Sequence, residues 1–341
     1  MKDIKRRRIL VIGSTNIDYV TRTERLPVLG ESVTDGVFKQ TFGGKGSNQA
    51  FAAARSSLPA DKGGCGADFM TALGTDASSI ELFRLMGESG LGTDLVDRKP
   101  DYTTGTALIM IDAQGHNYLS VAPGANYTIT AERIRAVKDR IAAAAMVLVQ
   151  YEIPRDALVE ILTIAGRAGV PRVFNFAPAR DFSFDASTIP EYLIVNEVEF
   201  QQLFGADPER LLPKPASAGP ASAGAASASQ AQPRTVPAPE LLPLAKDFPL
   251  VLVTLGAAGV AVFRRGVPGE RYAALPAKPV DTTGAGDTFC GAFTVAVSEG
   301  KDLAAAIRFG QGAAALSVQV FGALPSVPFR KDIDRYLEEH R

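Results

Sequence analysis

Strand-length apolar runs, each separated from the next by a stretch of helical spacing, constrain this chain more than any other feature. Ile141–Val149 ends in such a run, Ala157–Ala168 has helical periodicity, and Arg172-Val-Phe-Asn-Phe176 is strand-like again. Glu191–Val195 and Leu250–Thr254 continue the alternation. Apolar strands without a polar face are buried on both sides, and strand–helix–strand order builds a parallel sheet covered by helices. Two regions read differently. Ile17–Gln40 alternates like half-exposed strands, and Thr106–Ile111 faces Asn117–Val121 across Asp112–His116, a hairpin signal. The expected class is α/β: a mostly parallel central sheet flanked by helices, with a second, smaller sheet.

The 341 residues suit one large core with a small appendage. A net charge of −1 gives no electrostatic case for nucleic acid or an anionic membrane as partner. The Lys2–Arg8 basic cluster precedes only a short apolar run, which breaks at Ser14-Thr-Asn-Ile-Asp18 and therefore reads as a first strand, not a secretory segment. No apolar stretch approaches a membrane span. Two cysteines far apart in sequence, Cys65 and Cys290, make no disulfide framework, so a cytoplasmic setting is expected. Segment 213–239 is low-complexity Pro, Ala and Ser, with little to bury against the entropy of ordering, and is expected to be a surface insertion. Ser57–Ala67 is a second, Gly-rich departure from regular patterning.

Chemistry concentrates in two glycine clusters. Asp281-Thr-Thr-Gly-Ala-Gly-Asp287 precedes the small-residue helical run Thr288–Val297. Backbone N–H groups of Gly284, Ala285 and Gly286 can face an anion there, and Asp287 at the helix mouth can take a proton. Such a cradle with a base suits phosphoryl transfer to an alcohol. It is not a Walker A loop, because no Gly-Lys-Ser/Thr follows, and alone it equally fits a turn with Asp287 as a cap. The second cluster, Phe42-Gly-Gly-Lys-Gly-Ser-Asn48, opens the helical run Gln49–Arg55 and follows Leu10–Asp18, read as one strand ending in Asn16 and Asp18. Asn16, Asp18, Lys45 and Asn48 are residue types that hold a polyhydroxylated ligand by directed hydrogen bonds.

From Arg8 to Leu337 the chain resembles the ribokinase (pfkB) carbohydrate kinase family. The landmarks stand in the family's order: Gly13–Asp18, Gly43–Asn48, Gln150–Pro154, Asn175–Ala179, Asn196–Glu199, Thr254–Gly259, Asp281–Asp287 and Pro325–Pro328. The resemblance implies a single Rossmann-like kinase domain over 1–341. Strands from about 17–41 and 104–122 would form a β-sheet lid over the sugar and the contact of a homodimer. It implies an ATP-dependent kinase acting on the 5-hydroxyl of D-ribose. Another sugar or a nucleoside remains an alternative substrate, and a non-catalytic sensing module a more distant one.

Site roles follow from the same resemblance. Asp287 would be the base, with Gly284, Ala285 and Gly286 as the anion loop. Asn16, Ile17, Asp18, Gly44, Lys45, Gly46, Ser47, Asn48 and Glu152 would bind the sugar. Asn196 and Glu199 would orient Mg²⁺-bound water and phosphate, although Asn196-Glu-Val-Glu199 also reads as a plain capped helix start. Thr254, Leu255, Gly256, Ala257, Ala258 and Gly259 would lie along the nucleotide, with Gln311 near the adenine. A K⁺ site beside the anion loop would use the side chains of Asp281 and Ser326 and the backbone of Thr283, Ser317, Val320 and Gly322.

Overall fold

The computed structural model describes residues 8–212, 247–265 and 267–341. The 213–239 segment therefore lies outside the described residues, as does the basic cluster up to Arg7.

Thirteen strands run along the described chain: β1 (Ile9–Ile12), β2 (Asn16–Arg22), β3 (Val37–Gly43), β4 (Ala67–Leu73), β5 (Gly92–Arg98), β6 (Gly105–Ile111), β7 (Asn117–Ala122), β8 (Met146–Gln150), β9 (Arg172–Asn175), β10 (Tyr192–Asn196), β11 (Leu250–Thr254), β12 (Val260–Arg264) and β13 (Val267–Tyr272). The helices are α1 (Lys45–Ser56), α2 (Ala77–Glu88), α3 (Ala131–Ala136), α4 (Lys138–Ala142), α5 (Arg155–Arg167), α6 (Glu197–Phe204), α7 (Ala285–Ser298), α8 (Leu303–Ser317), α9 (Ala323–Ser326) and α10 (Arg330–Glu339).

Nine strands form the central sheet in the order β13-β12-β11-β10-β9-β8-β1-β4-β5. All neighbours from β11 to β5 pair in parallel, and β12 and β13 add an antiparallel edge. Period-two alternation explains why the strands lack a polar face. Leu10 and Ile12 pack into one buried cluster with Val147, Val149 and the helix α5 residues Leu158 and Ile161. Ile9 and Val11 point the other way, into a second cluster with Leu148, Phe51 of α1 and Phe293 of α7. Each face of the sheet thus has its own helical cover.

The remaining four strands make a separate sheet, β3-β2-β6-β7, in which β2 and β6 are parallel and the outer pairs antiparallel. The β6–β7 hairpin pairs Ile111 with Asn117 around the expected turn. One expectation needs correction here. Leu10–Asp18 is not a single strand: the chain leaves the central sheet after Ile12, turns through Gly13–Thr15 and enters the small sheet at Asn16. A Cβ on Gly13 would lie 1.9 Å from Gln150 Oε1 and 2.8 Å from Gly46 Cα, so only glycine lets the turn pass this close to the end of β8 and the start of α1.

Two helices bring the glycine clusters together. A Cβ on Gly291 of α7 would sit 2.5 Å from both Ala52 Cβ and Gln49 O of α1, so the axes approach closely because glycine and alanine line the contact. This contact explains the small-residue run after the anion loop.

Candidate active site

The C-terminal ends of the parallel strands carry the polar side chains of the site: Ser14 beyond β1, Glu152 beyond β8, Asn175 on β9, Asn196 on β10 and Thr254 on β11. Strand order reverses between β1 and β8, the position at which open parallel sheets bind ligands. At that crevice Ser14 Oγ donates to Glu152 Oε2 at 2.5 Å. The same carboxylate oxygen accepts from Lys45 N at 3.0 Å, and Ser14 Oγ accepts from Gly46 N at 3.3 Å. Asn126 fixes the neighbouring turn: its Oδ1 accepts from Thr15 N at 2.8 Å, and its Nδ2 donates to Thr15 O and Asn16 Oδ1.

Helix α1 begins at Lys45, not at Gln49 as the glycine-rich sequence implied, so Lys45, Gly46, Ser47 and Asn48 form its first turn. Its N-cap Gly44 has φ 88°, and the α7 N-cap Gly284 has φ 75°; both lie in the left-handed region open to glycine. The two helix mouths nevertheless differ. At α1, Ser14 and Glu152 consume the N–H groups of Lys45, Gly46 and Ser47. At α7, Ala285 N donates to Thr282 O, so Ala285 does not contribute the free donor expected of it. The N–H groups of Gly284, Gly286 and Asp287 have no hydrogen-bond partner among the described residues. Gly286 is exposed, and nothing lies within 4 Å of where its Cβ would be. Of the two helix mouths, the α7 mouth is thus the one with free donors for an anion.

Asp287 stands in the first turn of α7 and is 8 % exposed. Its Oδ2 accepts from Asn48 Nδ2 at 3.0 Å and its Oδ1 from Gln49 Nε2 at 2.8 Å. Asn48 Oδ1 is buried without a partner, an acceptor suited to a ligand hydroxyl. Burial, reinforced by the charges of Glu152 and Asp287, pushes the Asp18 carboxyl up to about 7. Burial alone would lower the Lys45 ammonium. The carboxylates of Asp287, Glu152 and Glu199 outweigh it and hold Lys45 above its ordinary value. One cation among four carboxyl groups is a site that favours hydroxyl donors and, beside them, additional cations. Ile17 does not join its neighbours: alternation along β2 turns its buried side chain away from the face bearing Asn16 and Asp18.

Asn196 and Glu199 form a capping box at α6: Asn196 Oδ1 accepts from Glu199 N, and Glu199 Oε2 accepts from Asn196 N, each at 2.8 Å. The plain reading of this segment is therefore realised. Glu199 is also electrostatically part of the site. Burial raises its carboxyl, the Asn196 N–H and Lys45 oppose that rise, and Asp287 adds to it.

An apolar cleft of about 610 Å³ adjoins the α7 mouth. Thr254, Gly256, Ala257 and Gly259 line it on one side, Ala285, Gly286 and Phe289 at the anion loop, and Gln311, Ala314 and Val318 of the α8 region on another. Gln311 Nε2 donates to Tyr272 O and Ala273 O. Leu255 does not line the cleft; it is 4 % exposed and packs in the core beneath the turn. Ala258 is also absent from the lining, its N–H turned back to Leu255 O.

Beside the anion loop, Asp281 Oδ1 accepts from Thr283 N and Oγ1, and its Oδ2 accepts from Gly322 N at 2.9 Å. Burial works against this carboxylate, but those bonds, together with the Arg22 charge, hold it below its usual range. Val280 N and Asp281 N both donate to Val318 O, joining the loop to the C-terminal end of α8. Ser317 is the last residue of α8, Val320 lies in the following turn, and Ser326 ends α9 with its Oγ donating to Ala323 O. Of the six residues expected at a cation site, Thr283 and Gly322 bond directly to Asp281, whereas Ser317, Val320 and Ser326 stand in the segments that follow. No group of three or more His, Cys, Asp or Glu side chains suited to a metal occurs among the described residues.

Sequence reasoning assigned no role to Ser14, Gln49, Asn126, Gln150 or Asn175. Gln150 and Asn175 opened recognised segments, and Gln49 was read as the start of a helix. The available signal was an amide at the end of each of two buried strands, Met146–Gln150 and Arg172–Asn175, a costly place for an unpaired polar group.

The chain matches the pfkB family carbohydrate kinase model over residues 6–330. It is 34 % identical to the ribokinase of Bacillus subtilis, with 97 % of this chain and 99 % of that protein covered. To the ribokinase of Schizosaccharomyces pombe it is 33 % identical, covering 96 % of each. Among solved structures it is similar to Arabidopsis thaliana ribokinase complexed with ribose and ATP, with TM-score 0.80, 30 % identity, and 97 % and 99 % of the two chains covered.

Proposed function

The chain belongs to the pfkB carbohydrate kinase family, and from that membership we propose that it is an ATP-dependent ribokinase, converting D-ribose and ATP to ribose 5-phosphate and ADP. The observation carrying this reading is the position of Asp287. It lies at the open N-terminus of α7, between the hydroxyl-binding crevice and the apolar cleft.

Asn16, Asp18, Lys45, Asn48 and Glu152 grip the ribose hydroxyls and direct the 5-hydroxyl toward Asp287. Asp287 takes the hydroxyl proton as the oxygen attacks the γ-phosphorus. The new O–P bond forms as the bond to the β-phosphate oxygen breaks, and that oxygen leaves with the electron pair on ADP. Gly284 and Gly286 donate N–H bonds to the phosphoryl oxygens, where positioning and charge stabilisation supply most of the acceleration. The nucleotide lies in the cleft formed by the Thr254–Gly259 turn and Gln311.

Asn196 and Glu199 suit Mg²⁺ held through water, because the capping box engages only one Glu199 oxygen. The Asp281 loop suits K⁺: its side-chain donors are oxygens, and the C-terminus of α8 turns its negative dipole end toward it. When bound, Mg²⁺ neutralises phosphate charge and K⁺ shapes the anion loop. The assembly is a homodimer through the small sheet, and the free thiols Cys65 and Cys290 fit a cytoplasmic setting. No helix among the described residues is long and apolar enough to cross a membrane.

The test is ADP release with ATP and Mg²⁺ across pentoses, hexoses and nucleosides, with Asp287→Asn as control. Ribose should give the highest kcat/KM, and the variant should lose roughly a hundredfold or more in kcat while still binding sugar. Near-normal turnover in Asp287→Asn would remove its role as base. Preference for another acceptor would displace ribose but leave the family intact.

A further inference from the structure

A chain of buried amides stands behind the proposed base. Gln49, on α1, is fully buried, and its Nε2 donates both to Asp287 Oδ1 at 2.8 Å and to Asn175 Oδ1 at 2.9 Å. Its Oε1 in turn accepts from Gln150 Nε2 at 2.7 Å. Gln150 ends β8 and Asn175 ends β9, and the two are direct register partners. Asn175 Nδ2 is itself fixed, donating to Ile194 O of β10 at 3.1 Å. These bonds also settle which end of each amide is nitrogen, because Asp287 accepts only and Ile194 O accepts only.

We propose that Gln49 is a positioning residue for phosphoryl transfer. It orients the Asp287 carboxylate, and Gln150 and Asn175 aim Gln49 in turn. The inference rests on Asp287 being the base. Four elements, α1, α7, β8 and β9, meet in this chain. Packing alone would not place amides there. Each would cost free energy to bury unpaired, and an apolar residue of the same shape would fill the space without that cost. Gln150 Oε1 remains buried and unpartnered, so the network accepts one unmet acceptor in order to keep the Gln49 contact. Two donors, Asn48 and the anchored Gln49, hold the two carboxylate oxygens and so set the rotation of the Asp287 carboxylate.

The experiment compares Gln49→Met, close in shape but without hydrogen bonds, with the unaltered enzyme. The expected result is a fall in kcat of about thirtyfold with KM for ribose and ATP within about threefold, the split of a lost transition-state contribution. In an Asp18→Asn background, where the raised Asp18 carboxyl no longer shapes the profile, the acid limb of kcat/KM against pH should also move upward by about one pH unit on Gln49→Met, since a donor to the charged form of the base is gone. A folded Gln49→Met with unaltered kcat and unaltered profile would overturn the proposal. So would a fall in kcat with an unmoved profile, which is the mark of packing alone. If Gln49→Met does not fold, Gln150→Leu serves, leaving Gln49 in place without its orienting bond. It should shift the profile in the same direction with a loss of about three- to tenfold, and an unmoved profile there overturns the proposal equally. An enzyme whose Asp287→Asn variant keeps its turnover would instead undo the base assignment itself.

Discussion

At the scale of single residues, Asp18 is a carboxyl whose charged form the fold disfavours. Burial and the neighbouring Glu152 and Asp287 charges raise its carboxyl to about 7, against 3.8 for the free group. The consequence for stability has a definite sign. Between these values the unfolded chain has released the proton and the folded chain has kept it, so the folded form binds more protons and stability falls as pH rises from about 4 to about 7. Asp18→Asn carries no such proton. The difference in unfolding free energy between the variant and the unaltered protein should therefore grow in the variant's favour from pH 5 to pH 8, by on the order of a few kcal/mol. Denaturant titrations at the two pH values measure it, and parallel curves would show that Asp18 is ionised throughout. The variant should also bind ribose more weakly, because an amide accepts hydroxyl protons less well than a carboxylate. Stability gained together with affinity lost marks a residue kept for its ligand.

At the scale of elements, the loop between α7 and the sheet depends on the end of α8. Val318 O holds Val280 and Asp281 through their N–H groups, and Asp281 holds Gly322. Anything that fixes Asp281 therefore fixes the segment leading into Gly284 and Gly286. K⁺ should raise kcat/KM roughly five- to tenfold over the rate in Na⁺ or Tris, and Asp281→Ala should reduce that response to about twofold or less, a coupling of ordinary size between two sites. Rates independent of the cation in the unaltered enzyme would remove the site. The order and kind of the elements were legible in the sequence because parallel strands buried on both faces leave a distinct signature in Ile9–Ile12, Met146–Gln150 and Leu250–Thr254. Local junctions were less so. The break at Gly13–Thr15 and the early start of α1 depend on Ser14 and Glu152 taking up helix amides across the crevice, contacts that exist only once β1 and β8 are neighbours. The amides behind Asp287 were hidden for the same reason, since the Gln150–Asn175 register is a property of the sheet.

At the scale of the whole molecule, the small sheet is incompletely covered. In the β2–β3, β2–β6 and β6–β7 registers, Asn16, Asp18 and Val20 share a face with Val37 of β3, Ile109 of β6, and Leu119 and Val121 of β7. Asn16, Asp18 and Val20 are buried, whereas Val37 is 70 % exposed, Leu119 61 % and Val121 48 %. The face that begins with Asn16 and Asp18 thus ends in exposed apolar side chains on β7, with Arg22 and Lys39 lying between it and Val37, and β3 and β7 have no further strand beside them among the described residues. Exposed apolar side chains on β7, beside Ile109 of β6 at the sheet edge, are a surface that a second copy of the chain can cover by two-fold pairing. Covering it would also close the outer side of the sugar crevice, because the two regions are one sheet face. Sedimentation at micromolar concentration should therefore give a dimer. Leu119→Glu buries a charge at each of two symmetric positions and should weaken dimerisation by roughly a hundredfold or more. That variant should also raise the KM for ribose more than the KM for ATP, since Leu119 shares the face of Asp18 and the nucleotide cleft lies elsewhere. A monomeric unaltered protein at that concentration would refute the dimer without touching the kinase assignment. A monomeric Leu119→Glu with unchanged ribose KM would leave the dimer in place but detach it from the sugar site.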